Sequence, residues 1–105
     1  MNIDKLKKRF IPMSETMFYI LSSLNEERHG YGIMQHVQKL TNGRIILGAG
    51  TIYQSIAKLE HDGLIIPTKE AERKKEYIIT EPGREILSLE AARICELYLI
   101  AKELV

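Results

Sequence analysis

Hydrogen-bonding side chains share one face of a predicted helix over residues 50–63. Ile52, Ile56 and Leu59 recur at helical spacing, so they form a buried stripe on one side of this helix. The other side carries four polar residues with a tyrosine on their flank: Thr51, Gln54, Ser55, Lys58 and Tyr53. This face has donors, one cation and no carboxylate before Glu60, so it suits a polar, anionic surface. An ordinary amphipathic helix with a solvated face has the same pattern.

Both ends of this helix have residues that favour termination. Gly50 or Thr51 can cap the start, where the first turn leaves backbone N–H groups without partners. Gly63 suits the left-handed conformation that ends a helix, and Leu64 is placed to fold back onto the last turn. The sequence therefore predicts a short, well-bounded helix.

A cluster of cations lies between two predicted strands that follow this helix. The strands cover residues 64–68 and 76–80, and Pro67 places the first at an edge or a bulge. Their connection over residues 69–75 is long for a hairpin and ends in three consecutive cations: Arg73, Lys74 and Lys75. Tyr77 is expected to anchor this ribbon in the core.

Catalytic and metal-binding motifs are not found in the sequence. His29, His36 and His61 show no i, i+4 pair, and no cysteine cluster or carboxylate pair accompanies them. A nucleophile elbow and a glycine-rich phosphate loop are also missing. We therefore expect neither an enzyme nor a cofactor nor a metal site. A metal sensor built from scattered histidines is a weaker alternative, which zinc titration monitored by DNA affinity tests.

Length and composition indicate one domain of 105 residues with an ordinary apolar content of 45%. The sequence contains no apolar run long enough to span a membrane and no clear secretory signal. The single Cys95 cannot form an internal disulfide. These features predict a cytoplasmic protein without a membrane partner.

Charge is distributed unevenly although the net charge is only +1. Residues 1–80 contain 12 Lys or Arg and 9 Asp or Glu, whereas residues 81–105 contain 3 and 5. The cationic part includes the donor-bearing helix. This asymmetry indicates which part of the chain would meet a nucleic acid.

The preceding segments supply the elements that position these groups. Residues 1–11 are interpreted as a loose basic arm, and a helix is predicted over residues 13–25 with Pro12 in its first turn. A turn over 25–30 leads to a second helix over 31–40, and residues 44–47 are predicted as a short strand. Glycines 30 and 32 allow either close approach to a phosphate or close helix packing.

A last helix is predicted from residue 81 nearly to residue 105, with Thr80 as its cap and Pro82 in its first turn. Six residues of this helix follow the spacing of a coiled-coil seam, here named the tail seam: Leu87, Ala91, Ile94, Tyr98, Ala101 and Val105. A second apolar stripe adjoins it: Ile86, Leu97, Ile100 and Leu104. So much apolar surface predicts a partner helix, and hence a homodimer.

The order of three helices, a two-stranded ribbon and a further helix is that of a winged helix. In this arrangement the third helix enters the major groove of DNA and the ribbon, or wing, lies along the backbone. The donor-bearing helix and the cationic connection occupy these two positions. We therefore expect a mainly helical α+β winged helix-turn-helix domain that binds double-stranded DNA, with Gln54, Ser55 and Lys58 facing base edges or flanking phosphates.

Five short motifs, in register, resemble the PadR family of transcriptional regulators. They are HGYGI at 29–33, GTIY at 50–53, LEHDGLI at 59–65, RKKEY at 73–77 and TEPG at 80–83. The resemblance implies a dimeric winged-helix repressor in which Thr51, Tyr53 and the wing cations meet DNA, with Tyr31 near a phosphate. Two residues depart from the family pattern: Gln54 replaces a frequent proline, and Glu72 replaces a frequent wing glycine.

The resulting prediction has two parts within one compact unit. Residues 1–80 form the DNA-binding domain with its basic arm, and residues 81–105 form a dimerisation helix. The expected function is a homodimeric, sequence-specific regulator, a repressor on a pseudo-palindromic operator. The sequence leaves open whether a small-molecule effector releases it. The alternative is a winged helix that binds proteins and not DNA.

Overall fold

A computed structural model describes residues 2–71 and 74–105. The elements in chain order are α1 (Ile3–Phe10), α2 (Glu15–Ser23), β1 (Arg28–His29), α3 (Gly30–Leu40), α4 (Ala49–His61), β2 (Ile65–Ala71), β3 (Lys74–Ile79) and α5 (Glu81–Ala101), followed by a 3₁₀ turn (Lys102–Leu104). Among the described residues, none of the helices has the length and apolar character needed to cross a membrane.

The core lies where α2, α3 and α4 meet the sheet and the first half of α5. Fully buried side chains come from α2, α3, β2, α5 and the residues beside them: Ile20, Leu21, Leu24, Ile33, Val37, Leu64, Ile65 and Ile86. The predicted apolar stripe of α4 is buried as well, with Ile52, Ile56 and Leu59 each at most 3% exposed. Removing these side chains from water stabilises the fold by roughly 1.5–3 kcal/mol each. The helix that carries the donor face is therefore held rigidly from behind.

The sheet is antiparallel with strand order β1-β3-β2. The β2–β3 register runs from Ile65 opposite Ile79 to Ala71 opposite Lys74, with a bulge between Pro67 and Lys69. The predicted hairpin is confirmed, and β2 is an edge strand as the proline indicated. The expected long connection over 69–75 is wrong, because both strands extend into it.

The N-terminal segment is a helix, so the prediction of a loose basic arm is wrong. The Asn2 side chain caps α1 by accepting the Asp4 N–H at 3.1 Å. Leu6 and Phe10, one helical turn apart, are 7% and 3% exposed because they pack into the core. Burial of Leu6 and Phe10 holds α1 against the domain, while the cations of this helix remain in solvent.

Two further predictions needed correction before α4. Residues 44–47 form no strand; this extended loop packs Leu47 into the core, and Thr41 accepts the Ile45 N–H at 3.1 Å. The third strand is instead β1, which lies within the predicted turn and pairs with β3. In addition, α2 begins after a Ser14 cap, so Pro12 precedes the helix.

The end of α4 is joined directly to the start of α5. Gly63 has the expected positive φ of 77°, and the Leu64 N–H donates back to the Leu59 carbonyl at 2.9 Å. Thr80 caps α5 by accepting the Gly83 N–H at 3.2 Å, while its hydroxyl donates to the Gly63 carbonyl at 2.7 Å. One threonine thus connects the donor-bearing helix to the tail helix.

Candidate nucleic-acid interface

The first two turns of α4 form an exposed, uncharged polar surface. Thr51 and Gln54 are exposed, whereas Ser55 is half-buried. The N-cap residue of α4, Gly48, makes no side-chain hydrogen bond in the described chain, so the first N–H groups of the helix have no capping side chain. This end of α4 can therefore donate hydrogen bonds from side chains and from backbone to an anionic partner.

Lys58 lies on the same face of α4, one turn after Gln54 and next to α1. Its ammonium is 5.2 Å from the centroid of the Phe10 ring, which is cation–π geometry. Beside it, the Arg9 guanidinium binds the Asp62 carboxylate at 2.7 Å. Lys58 thus stays on the face with which the sequence grouped it, and its ammonium lies beside α1.

Tyr31 and Tyr53 stand together at the corner where α3 and α4 begin. They are 60% and 57% exposed, although both are large aromatic residues. A side chain on Gly30 would place its Cβ 2.9 Å from the Tyr53 hydroxyl oxygen, so the glycine makes room for this ring. Between the tyrosines lies a cavity of about 120 Å³, lined by Gly30, Tyr31, Met34, Ala49, Ile52 and Tyr53. Gly30 thus packs closely against Tyr53, and the approach of this helix start to a phosphate stays a prediction.

His29 has a positioning role that sequence reasoning missed. Its Nδ1 caps α3 by accepting the Gly32 N–H at 3.0 Å. Its ring also stacks on Tyr31, with centroids 6.4 Å apart and planes 11° from parallel. The histidine therefore holds the tyrosine at the exposed corner. Histidine is not among the preferred capping residues, which is why sequence reasoning missed this role.

The loop in front of α4 is tied to the start of α2. The Arg44 guanidinium binds the Glu15 carboxylate and approaches the Tyr19 hydroxyl at 3.5 Å. The hydrogen bond from Arg44 lowers the pKa of Glu15, which keeps this exposed pair ionised. This contact joins the segment that leads into α4 to a second helix.

The wing is described at its base and along most of its strands. Glu72 and Arg73 lie outside the described residues, and for Lys74 only its backbone pairing with Ala71 is described. Lys75 is exposed and lies opposite Glu70 in the strand register. The buried Tyr77, 6% exposed, anchors β3 in the core as expected.

A glutamate before β1 binds the base of the wing, which the sequence did not indicate. The Glu27 carboxylate lies 3.3 Å from the Lys69 ammonium. Hydrogen bonds from Thr68, and secondly from Lys69, lower the pKa of Glu27. Lys69 is thus already paired, in contrast to its place in the cationic connection predicted from the sequence.

The tail helix leaves the core after its first half. Leu87 is only 8% exposed because it packs into its own chain, so the open part of the predicted tail seam begins after it. Ala91 and Ile94 are half-buried, while Tyr98, Ala101 and Val105 are exposed. Further apolar residues of the tail are also at least half exposed: Leu97, Leu99, Ile100 and Leu104.

Metal ligands are not assembled in the part of the chain that the structure describes. No three His, Cys, Asp or Glu side chains come together there. His29 is the N-cap of α3, His36 lies in the middle of the same helix, and His61 ends α4. The described residues around the exposed start of α4 are instead hydrogen-bond donors and aromatic rings.

Three core helices followed by an antiparallel wing and a long C-terminal helix define a winged-helix protein. The PadR-like family of transcriptional regulators matches residues 18–89. The chain belongs to this family, whose members are transcriptional regulators and not enzymes. The resemblance recognised in the motifs is thereby confirmed.

Individual relatives and structures agree with this assignment. The chain is 30% identical over 82 residues to the transcriptional regulator YqjI of Escherichia coli, covering 77% of this chain and 40% of that protein. It spans less than half the length of the curated relatives it matches.

Solved structures share the fold at lower identity. A PadR family transcription regulator from Clostridium difficile superimposes with a TM-score of 0.72 at 21% identity, over 87% of this chain and 98% of that one. Bacillus subtilis PadR, solved in complex with operator DNA, gives a TM-score of 0.63 at 24% identity, over 71% and 45% of the two chains. The mainly helical winged-helix fold predicted from the sequence is confirmed.

Proposed function

We propose that this protein is a homodimeric, sequence-specific DNA-binding regulator that represses transcription from a pseudo-palindromic operator in the cytoplasm. The observation that carries the proposal is the exposed, carboxylate-free donor face at the start of α4, which begins with uncapped N–H groups. A helix of this kind fits the major groove, where base edges present both acceptors and donors. The Bacillus subtilis relative of the same fold was solved with operator DNA, which supports the same partner here.

In this proposal the residues divide into two roles. Gln54 and Ser55 face base edges, and Lys58 contacts a flanking phosphate further along the groove. Five of the remaining residues, together with one outside the described ranges, hold the DNA backbone: Tyr31, Thr51, Tyr53, Lys74, Lys75 and Arg73. Both tyrosines are exposed, so their rings and hydroxyls are accessible to a DNA backbone, which supports this role.

The dimer follows from the tail. One winged helix reads only a few base pairs, whereas a two-fold pair reads half-sites about 34 Å apart. The exposed apolar residues beyond Ile94 supply a surface that a second copy of the tail would cover. Leu87 is left out of this interface because its own core already buries it.

A gel-shift experiment tests the proposal directly. The full-length protein is mixed with the DNA upstream of its own gene at two salt concentrations, with excess unrelated DNA as competitor. We expect a shifted band that survives the competitor. The comparison is the Thr51→Ala, Gln54→Ala double variant, which should shift the same DNA less and lose preference at the base that Gln54 contacts. A wild-type protein that shifts no DNA would support the alternative, a protein-binding winged helix.

A further inference from the structure

A buried carboxylate sits where the tail helix separates from the winged-helix domain. Glu90 is 0% exposed and is the only acidic or basic residue classed as buried among those the structure describes. Its Oε2 accepts the Met13 N–H at 2.7 Å. The Arg93 guanidinium binds the same carboxylate twice, at 2.7 and 2.8 Å. These three hydrogen bonds come from two defined partners.

These partners belong to different parts of the molecule. Met13 lies in the short connection between α1 and α2, whereas Arg93 lies one turn further along α5 itself. The contact here named the Glu90 clasp, formed by Glu90, Arg93 and the Met13 N–H, thus fastens α5 to the connection between two helices of the DNA-binding domain. A hydrogen bond to a backbone N–H has a narrow range of distance and angle, so it fixes this crossing point closely.

Stability alone is a poor reason for this carboxylate. Glu90 is buried while its partner Arg93 stays 35% exposed, and the desolvation of such a carboxylate costs so much that an apolar residue of similar volume often serves a core equally well or better. What an ionic contact adds is one defined geometry. Of the buried residues of α5, Glu90 is also the last along the helix, so no later described side chain of the helix is fully buried in its own domain.

The part of the helix after Glu90 acts as a lever. It spans 11 residues to Ala101, or about 16 Å at the rise of an α-helix. A tilt of about 10° at the clasp therefore moves the end of α5 by about 3 Å, and the two-fold axis of a dimer doubles the effect. This displacement approaches the rise of one base pair, about 3.4 Å.

We propose that Glu90 is a positioning residue for DNA recognition: it fixes the direction in which α5 leaves the winged-helix domain, and thereby the spacing of the two recognition helices. This inference rests on the proposed dimeric DNA-binding function. It assigns Glu90 no contact with DNA and none with the partner chain. Its signature is accordingly a change in preferred half-site spacing, with unchanged recognition of each half-site.

The experiment compares full-length proteins on operators whose half-sites, selected with the wild type, are moved apart or together one base pair at a time. The wild type should prefer one spacing by about tenfold, the scale of one mismatched base pair. Glu90→Gln loses the bidentate, charged hydrogen bonds with Arg93. It should therefore flatten or shift the spacing preference and keep the wild-type affinity for an isolated half-site. Glu85→Gln, an exposed glutamate of the same helix, is the matched control and should behave as wild type.

A second variant guards against loss of folding. Glu90→Met combined with Arg93→Met fills the same space without a buried charge, so it removes the clasp and keeps the core. Dimers of either variant that retain the wild-type spacing profile would overturn the inference, as would a wild type with no spacing preference. A wild type that is monomeric or binds no specific DNA would instead overturn the proposed function itself.

Discussion

At the residue scale, glycine 83 is required by a close backbone approach. A Cβ at this position would overlap the Leu64 carbonyl oxygen and lie 2.7 Å from Ile79 Cγ1. Gly83→Ala must therefore push α5 away from the strands, and we expect it to lower the free energy of unfolding by about 3 kcal/mol, the upper range for overpacked sites. Urea unfolding measures this change. Gly48→Ala is the control, because no atom lies within 4 Å of its Cβ; equal stability of both variants would contradict the packing described here.

The recognition role of Gln54 can be tested separately from affinity. If its amide makes a bidentate contact, Gln54→Ala should relax preference at one base position by about 1–3 kcal/mol, while other positions keep theirs. Binding to a set of operators randomised at single positions measures this. Gln38→Ala, an equally exposed glutamine at the far end of α3, should leave all preferences intact. A Gln54 variant with an unchanged base profile would remove this residue from the set of reading groups.

His36 makes stability depend on pH. Burial lowers its pKa below 6.5, and the neighbouring Arg28 lowers it further. As the pH falls, the imidazole is protonated at a higher pH in the unfolded chain than in the folded one. Its contribution to the free energy of unfolding is therefore complete above pH 6.5 and is lost as the pH drops through the folded-state pKa. Between about pH 7.5 and 5.5, His36→Gln should therefore lose less free energy of unfolding than the wild type does. Parallel losses in both proteins would show that other groups cause the acid effect.

At the element scale, a periodic pattern predicted structure well when a cap or a turn residue bounded it. The helix over 50–63 was recognised from its apolar stripe and Gly63, and it was found as α4. Strand predictions were less accurate, because a strand forms only where another strand, often distant in sequence, offers a free edge. Residues 44–47 have strand-like side chains but no neighbouring strand edge, because β1 takes the open edge of β3. For the site, donor types were visible in the sequence, whereas the pairing of Lys58 with Phe10 and of Lys69 with Glu27 required the tertiary structure.

The wing should carry much of the salt dependence of DNA binding. Replacing Lys74 and Lys75 by Gln is expected to reduce the slope of log affinity against log salt by about 0.9 for each phosphate that is no longer neutralised. Lys69→Gln is the internal comparison. Because Lys69 is paired with Glu27 at 3.3 Å, its replacement should change the slope less. Titrations between about 50 and about 200 mM salt span the range in which such slopes are measured. An unaltered slope in the double variant would place the wing away from DNA.

At the scale of the whole molecule, the dimer decides whether the operator can be read. Ile94 is half-buried and lies where the tail begins to project. Ile94→Glu would bring two like charges together near the two-fold axis, at a cost of several kcal/mol. Analytical ultracentrifugation at micromolar concentration should show a dimeric wild type and a monomeric variant. Ala92→Glu, on an exposed neighbouring position, is the control. A monomeric wild type would refute the tail interface, and a dimeric Ile94 variant would move it to another face of α5.

One property of the recognition surface bears on how such a regulator finds its site. From residue 45 to residue 57 the chain contains no charged side chain, and the next cation, Lys58, lies over the Phe10 ring. Attraction to arbitrary DNA is almost entirely electrostatic. A recognition helix without charge in its first two turns therefore gains little from a wrong sequence. On the proposed function, attraction to arbitrary DNA therefore comes from the wing cations and Lys58, whereas the start of the recognition helix adds binding free energy only where its donors meet matching base edges.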